Sequence, residues 1–300
     1  MDSFSVGLFV FRCLISVVGI VGNSILVVST LKHPTIKTFE VFILGLTVSN
    51  FEGILVVNIS DIMINFGGQK LDELSCRILR FMTVLGETAT ILFTVLICVF
   101  RYQKLRDAEV LGHLHALLDN LRLAWALTGL CFLMAVFFSL PTYFIEMHEK
   151  VNNSNTTSSC SSDVFQCPRL NCAVNKVIYK SLYLLLNNLI PLITVTVTSA
   201  LTVNILLRRR NVVISEFAGQ SPAVHHQSHH FWKSTKAVLA AMCIFQVDWT
   251  MYLILHLALD SSQLASWSEI EFCILTIYST ISPYLYIIGN NIFSRKSTLH

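Results

Sequence analysis

Charge is scarce in this chain. Only 13% of its residues are Asp, Glu, Lys or Arg and 54% are hydrophobic, whereas soluble domains carry about 25% charged residues. That shortage excludes a water-soluble domain. The sequence also lacks a basic flank before its first apolar block, and the block, about Ser5 to Thr30, is too long for a cleaved signal peptide. No internal repeat or low-complexity tract is visible, and no hydrolase triad, phosphate-binding loop or metal motif stands out. The expectation is a single membrane domain, not an enzyme, with no cofactor and no nucleic-acid partner.

What is abundant is long apolar runs. Seven are long enough to cross a hydrocarbon core of about 30 Å: 5–31, 38–66, 76–101, 122–144, 177–207, 234–259 and 269–288. They predict an all-α bundle of seven transmembrane helices, with a long outer loop at 145–176 and an inner loop at 208–233. Orientation follows from Lys and Arg, which accumulate on the cytoplasmic side. Thirteen fall in one set of loops, from Lys32 to Lys296, and seven in the other, with Arg12 left inside the first span. The N-terminus is therefore placed outside and the C-terminus in the cytoplasm.

Other features fall in with that assignment. Asn152 and Asn155 each begin an Asn-x-Ser/Thr glycosylation acceptor in the outer loop. Cys76, Cys160, Cys167 and Cys172 lie on the oxidising side, and a bridge from Cys76 to one of the other three is expected. Cys13, Cys98, Cys131, Cys243 and Cys273 sit within spans and are expected as free, buried thiols.

The third span carries the clearest landmark, ICVFRYQKLRDAE at 97–109. Arg101 closes an apolar run that begins near Cys76, and those 25 positions cover roughly 37 Å of helix. Elsewhere stand Gly22-Asn23, Asn50 where an aspartate is usual, Trp125, Pro191 and Ser282-Pro283-Tyr284-Leu285-Tyr286. Together these resemble rhodopsin-like G-protein-coupled receptors. Phe100 replaces the acid that normally precedes the arginine, and the sixth span has no proline. VFRYQKLRDAE, STISPYLYI and NILLRRR followed by Ser-Pro and histidines are similar to vomeronasal type-1 receptors, above all the fish olfactory receptors class A-related. Bitter taste type-2 receptors are near relatives. Their third helix ends in a Phe-Tyr-x-x-Lys-Ile-Ala pattern, absent here, and they generally lack the outer cysteine.

The resemblance implies a small-molecule pheromone or odorant ligand, an inhibitory-class heterotrimeric G protein and the plasma membrane of a sensory neuron. Arg101, with Tyr102, Pro283 and Tyr286, would form the inner switch. For the ligand, the sequence offers polar residues at expensive depth: Glu87, Asp61 and Asp248, with Thr83, Asn187 and Tyr252 beside them and Arg80 at the rim. Each has a plainer reading: a carboxyl bonded between helices, an interhelical amide, or an arginine reaching headgroups. Ligand charge stays open between an acidic floor and a basic rim. Glu52, near Asn50, reads as part of a structural polar core. The HHQSHH run at 225–230 reads as solvated loop, although on a helix its i,i+4 histidines would suit zinc.

An odd number of crossings is open to direct test. Epitope tags on the two termini of intact cells should report from opposite sides of the membrane, and labels exposed on the same side would overturn the topology.

Overall fold

A computed structural model describes the backbone of residues 3–32, 36–65, 72–110, 120–144, 174–216, 222–258 and 267–290. Side chains are described for residues 7, 9–32, 36–59, 72–107, 120–144, 174–208, 233–258 and 270–289. The described elements are all helical: α1 (Ser3–Leu31), α2 (Thr38–Asn65), α3 (Glu73–Val110), α4 (Leu121–Phe144), α5 (Val174–Tyr183), a π-helical turn (Leu184–Leu189), α6 (Ile190–Glu216), α7 (Pro222–Ala258) and α8 (Trp267–Asn290). With α5, the π turn and α6 forming one continuous rod, seven helices are long and apolar enough to cross a membrane. Helix is the natural outcome, because hydrocarbon offers the backbone no hydrogen bonds and a helix satisfies them within one segment.

Local signals set several starts. Glu40 reaches back to the Lys37 N–H (2.9 Å), half of a capping box for α2. Asn120 caps α4 by accepting from the Arg122 N–H at 3.0 Å. At the inner side the helices run past the apolar blocks. α3 continues nine residues beyond Arg101, α6 reaches Glu216, and α7 begins at Pro222, so most of the expected inner loop 208–233 is helical backbone. The reason is cooperative. A span already supplies the nucleus, and neither RRRNVVISE nor the stretch after Pro222 contains an interior Gly or Pro to stop extension. The histidine run is therefore on helical backbone, with its side chains outside the described ones.

α3 is the axis of the bundle. Its most apolar stretch is 61% buried against 22% for α4, and it touches α2, α4, α6 and α7. Phe42, Phe93, Phe100, Ile97 and Phe245 fill the core around it. α4 turns Leu133 and Phe137 outward, 69% and 67% exposed, as a lipid-facing helix should. Trp125 is exposed as well.

Two landmark pairs have direct physical roles. Pro283 has no N–H and cannot bond the carbonyl of Ser279 four residues back. The Asn23 amide donates to that carbonyl at 2.9 Å and to its own helix at Gly19 (2.8 Å). Gly22 makes room for the Tyr284 ring, whose nearest atom lies 2.6 Å from where a Cβ would stand, and Tyr284 donates to the Val18 carbonyl at 2.7 Å. α1 is thus fastened to α8 at the proline. Asn23→Leu should lower the thermal unfolding temperature of the receptor in nanodiscs, reflecting a loss of about 1–3 kcal/mol from the orphaned carbonyl. An unchanged melting temperature would show that water or another donor takes Asn23's place.

Candidate functional site

A buried polar network surrounds Pro283. Asn50 donates to Ser282 (3.2 Å) and accepts from Thr90 (3.0 Å), joining α2, α8 and α3. Thr94 and Tyr278 share a 2.8 Å hydroxyl contact. Asp248 on α7 accepts the main-chain N–H of Tyr278 at 2.8 Å. This carboxylate ties α7 to α8, and it is not among the residues lining the cavity outward of the network. Of its two sequence readings, helix locking is the one the geometry matches.

That cavity measures about 30 Å³ and is lined by residues that include Ser49, Gly53, Thr83, Glu87, Trp249 and Thr276. The volume holds roughly two water molecules. It forms where α2 and α3 approach closely: a Cβ on Gly86 would meet Glu52 Oε2 at 2.3 Å and the Gly53 Cα at 3.1 Å. Glu87 accepts a hydrogen bond from Tyr183 (3.3 Å), whose hydroxyl also lies 3.5 Å from Thr88 Oγ1. Thr83 donates to the Leu79 carbonyl within α3. Tyr252 is buried, its ring 5.2 Å from Trp249 and 4.3 Å from His256. Arg80 is half-buried near the outer end of α3, and Arg77 one turn away pairs with Glu73.

Asp61 lies on the α2 backbone with its side chain outside the described ones, and Asn152, Asn155, Cys160, Cys167 and Cys172 lie outside the described residues altogether. Cys76 is disulfide-bonded, and the other described cysteines are free, but only Cys98 is buried: Cys13 and Cys243 are exposed on outward faces of their helices, where the membrane and not the protein covers them.

Asn187 and Asn188 fall in the π turn, both buried. Their outward neighbour Tyr183 was not singled out by sequence reasoning, and neither was Trp249. The His256–Glu271 pair was also missed. It spans 3.1 Å between α7 and α8 with side chains 1% and 12% exposed. Arg12 is buried with its guanidinium 3.9 Å from the Phe272 ring centre. For His256, Glu271 and Arg12 the available signal was an ionisable residue inside an apolar block; Tyr183 and Trp249 carried no such signal.

At the inner end Arg101 is only 6% exposed. It donates to Ser234 on α7 at 2.6 Å and lies 3.6 Å from the centre of the Phe39 ring on α2. Among the described residues it has no carboxylate partner. Phe100 packs against Phe39 and Phe42 at 6.1 and 5.4 Å, so the residue standing where an acid is usual is core. Tyr286 is buried within the electrostatic reach of Arg101 and Tyr278. Tyr102 packs on Leu105, Ile205 and Leu206, and Pro283 is buried at the centre of the network.

Seven membrane helices surround a small, mainly apolar cavity in the outer half, with a buried arginine at the opposite end. The model of the 7 transmembrane receptor (rhodopsin family) matches residues 22–286, and the chain belongs to that family. It is a multi-pass membrane receptor that couples ligand binding to a heterotrimeric G protein, and not an enzyme. A search of curated proteins gives no match.

The Arg101 contacts generate a prediction. Ser234→Ala removes the hydrogen bond between this guanidinium and α7. Basal G-protein activation should rise about fivefold or more, as befits a charge-assisted bond of at least about 1 kcal/mol. Unchanged basal activity in a normally expressed variant would mean that the bond does not restrain the resting state.

Proposed function

We propose that the protein is a chemosensory receptor of the vomeronasal type-1 kind, similar to the fish olfactory receptors class A-related. A small pheromone or odorant binds in the outer half of the bundle, among Glu87, Thr83, Tyr252, Asn187 and Trp249, and the inner end opens to an inhibitory-class G protein at the plasma membrane of a sensory neuron. The observation that carries this reading is the inner end of α3. Among the described residues Arg101 has no acidic partner, Phe100 packs with Phe39 and Phe42, and Ser234 with Phe39 stands in for the missing ion pair. The departure that sets VFRYQKLRDAE apart from most rhodopsin-like receptors is thus matched by compensating contacts.

The second reading, a bitter taste type-2 receptor, is disfavoured by the disulfide at Cys76, since those relatives generally lack that cysteine. Arg80 and Arg77 support an anion-receiving rim less well than headgroup or ion-pair roles, because Arg77 is already paired with Glu73. Ligand binding works by differential affinity for two helix arrangements.

The test is a panel of small odorants and bitter compounds applied to cells that report falling cyclic AMP and G-protein activation, repeated with Glu87→Gln and Trp249→Ala. Odorant responses should lose roughly tenfold in potency in each variant, the worth of one hydrogen bond or packing contact in a closed pocket. Activation by bitter compounds alone, or responses indifferent to both changes, would overturn the assignment.

A further inference from the structure

His256 and Glu271 are not among the residues lining the cavity. His256 stands two residues before the end of α7 and Glu271 is the fifth residue of α8, so the pair bridges the outer ends of neighbouring helices. Nε2 of the imidazole lies 3.1 Å from Oε1 of the carboxylate, with the side chains 1% and 12% exposed. Ionisable groups buried in an apolar span are costly, and they persist where they pair and where they serve.

The surroundings make the imidazole the group that changes charge. On α7 the Tyr252 ring lies 4.3 Å from it, and Asp248, two turns inward, accepts the Tyr278 N–H. Of the helices packed on α8, α1 brings Arg12 to 3.9 Å from the ring centre of Phe272, the neighbour of Glu271, and α2 brings Glu52 close to Gly86 of α3. The outer half of α3 carries the Arg77–Glu73 pair, Arg80, and Glu87, which accepts from Tyr183. The π turn and α6 as far as Leu207 hold no titratable residue. Of these residue types only histidine ordinarily changes charge between about pH 5 and 8.

We propose that His256 and Glu271 form a proton-dependent clasp between the outer ends of α7 and α8, through which acidity outside the cell restrains activation. With the imidazole protonated, the two attract as ions in a site that water barely enters. With it neutral, a hydrogen bond without the donor's charge remains. The acid form is the stronger, so it favours the arrangement in which the contact is made. That arrangement is also the one in which Arg101 is tied to Ser234, toward the other end of the same helix. Tyr252 continues the contact inward, its ring 5.2 Å from that of Trp249, a cavity residue. Glu271, the more exposed partner, gives the proton its way in from the outer face.

The experiment uses the full-length receptor and no ligand but the proton. The medium around intact cells is stepped from about pH 8 to about pH 5.5 while basal G-protein activation is recorded. Activation by the wild type should fall about threefold or more, the margin of a charge-assisted over a neutral hydrogen bond. His256→Gln keeps a donor but cannot take the charge, and Glu271→Gln keeps an acceptor without it. Each should lose most of the response to acid, and either variant carries the test if the other fails to fold. In nanodiscs the thermal unfolding temperature of the wild type should rise relative to His256→Gln or Glu271→Gln by about 2 °C or more over the same step. Where basal signalling is too low to follow, this second readout decides. A wild type indifferent to acid, basal activation that rises in acid, or a response that survives in the variants would overturn the proposal.

Discussion

A proline inside a membrane helix leaves a carbonyl that lipid cannot satisfy, and at Pro283 and Pro191 this chain meets the problem with opposite solutions. At Pro283 the freed Ser279 carbonyl is taken by another helix, through the Asn23 amide. Asn50 then bonds Ser282 and Thr90 beside it, so α1, α2 and α3 all converge on one bend of α8. At Pro191 the strain is absorbed within the rod itself, as a π turn. The first solution consumes polar side chains and knits the inner half of the bundle. The second spends none and leaves two asparagines unpaired in the outer half. The contrast between an inner half knit together by Asn23 and Asn50 and an outer half that leaves both carboxamides of the π turn unpaired follows from the same backbone constraint.

The two halves are physically continuous. Thr90 and Ser279 line the cavity and also belong to the network at Pro283. From there Tyr278 contacts Thr94 and takes Asp248 at its backbone, and Tyr286 lies between Tyr278 and the arginine end. Contiguity alone does not transmit a signal; a segment with two arrangements does. The bend at Pro283 is suited to that role, since its missing hydrogen bond lets α8 change angle without breaking one, while Asn23 and Asn50 define the arrangement seen here.

The spans were legible in the sequence because hydrocarbon thickness imposes a length and a composition that few other structures share. Their inner ends were not. Beyond the headgroups a helix needs no apolar residues, so α3 past Arg101 and α7 before Lys233 left no mark in hydropathy. Depth could be counted for Glu87 and Asp248, but depth is not direction. Whether a carboxylate meets a cavity or a backbone N–H depends on the rotation of its helix, and Asp248 proved to face α8. The phase of the fifth span was harder still, because a π turn breaks the 3.6 period on which facing is judged. The partner of Arg101 was hidden for a different reason. A serine 133 positions away carries no signature that distinguishes it from any other serine in the span.

Replacing an adjacent acid by Phe100 has an energetic consequence that fits the size of the cavity. A buried arginine is costly to leave unpaired. Here it has one neutral hydroxyl and one aromatic face, with its Nε unpartnered. A cation–π contact contributes about 2 kcal/mol when desolvated and a hydrogen bond to a charged group about 1.5–3 kcal/mol, and neither carries the long-range attraction of a carboxylate. The latch is therefore shallower than an ion pair backed by hydrogen bonds. A ligand shifts a two-state equilibrium only by its differential affinity, about 5.5 kcal/mol for a full swing from 1:99 to 99:1. Small ligands have few atoms from which to draw that difference, at most about 1.5 kcal/mol each. A receptor whose cavity is about 30 Å³ is matched to small agonists only if its resting state is held lightly, and the absence of an acid beside Arg101 is what makes the hold light.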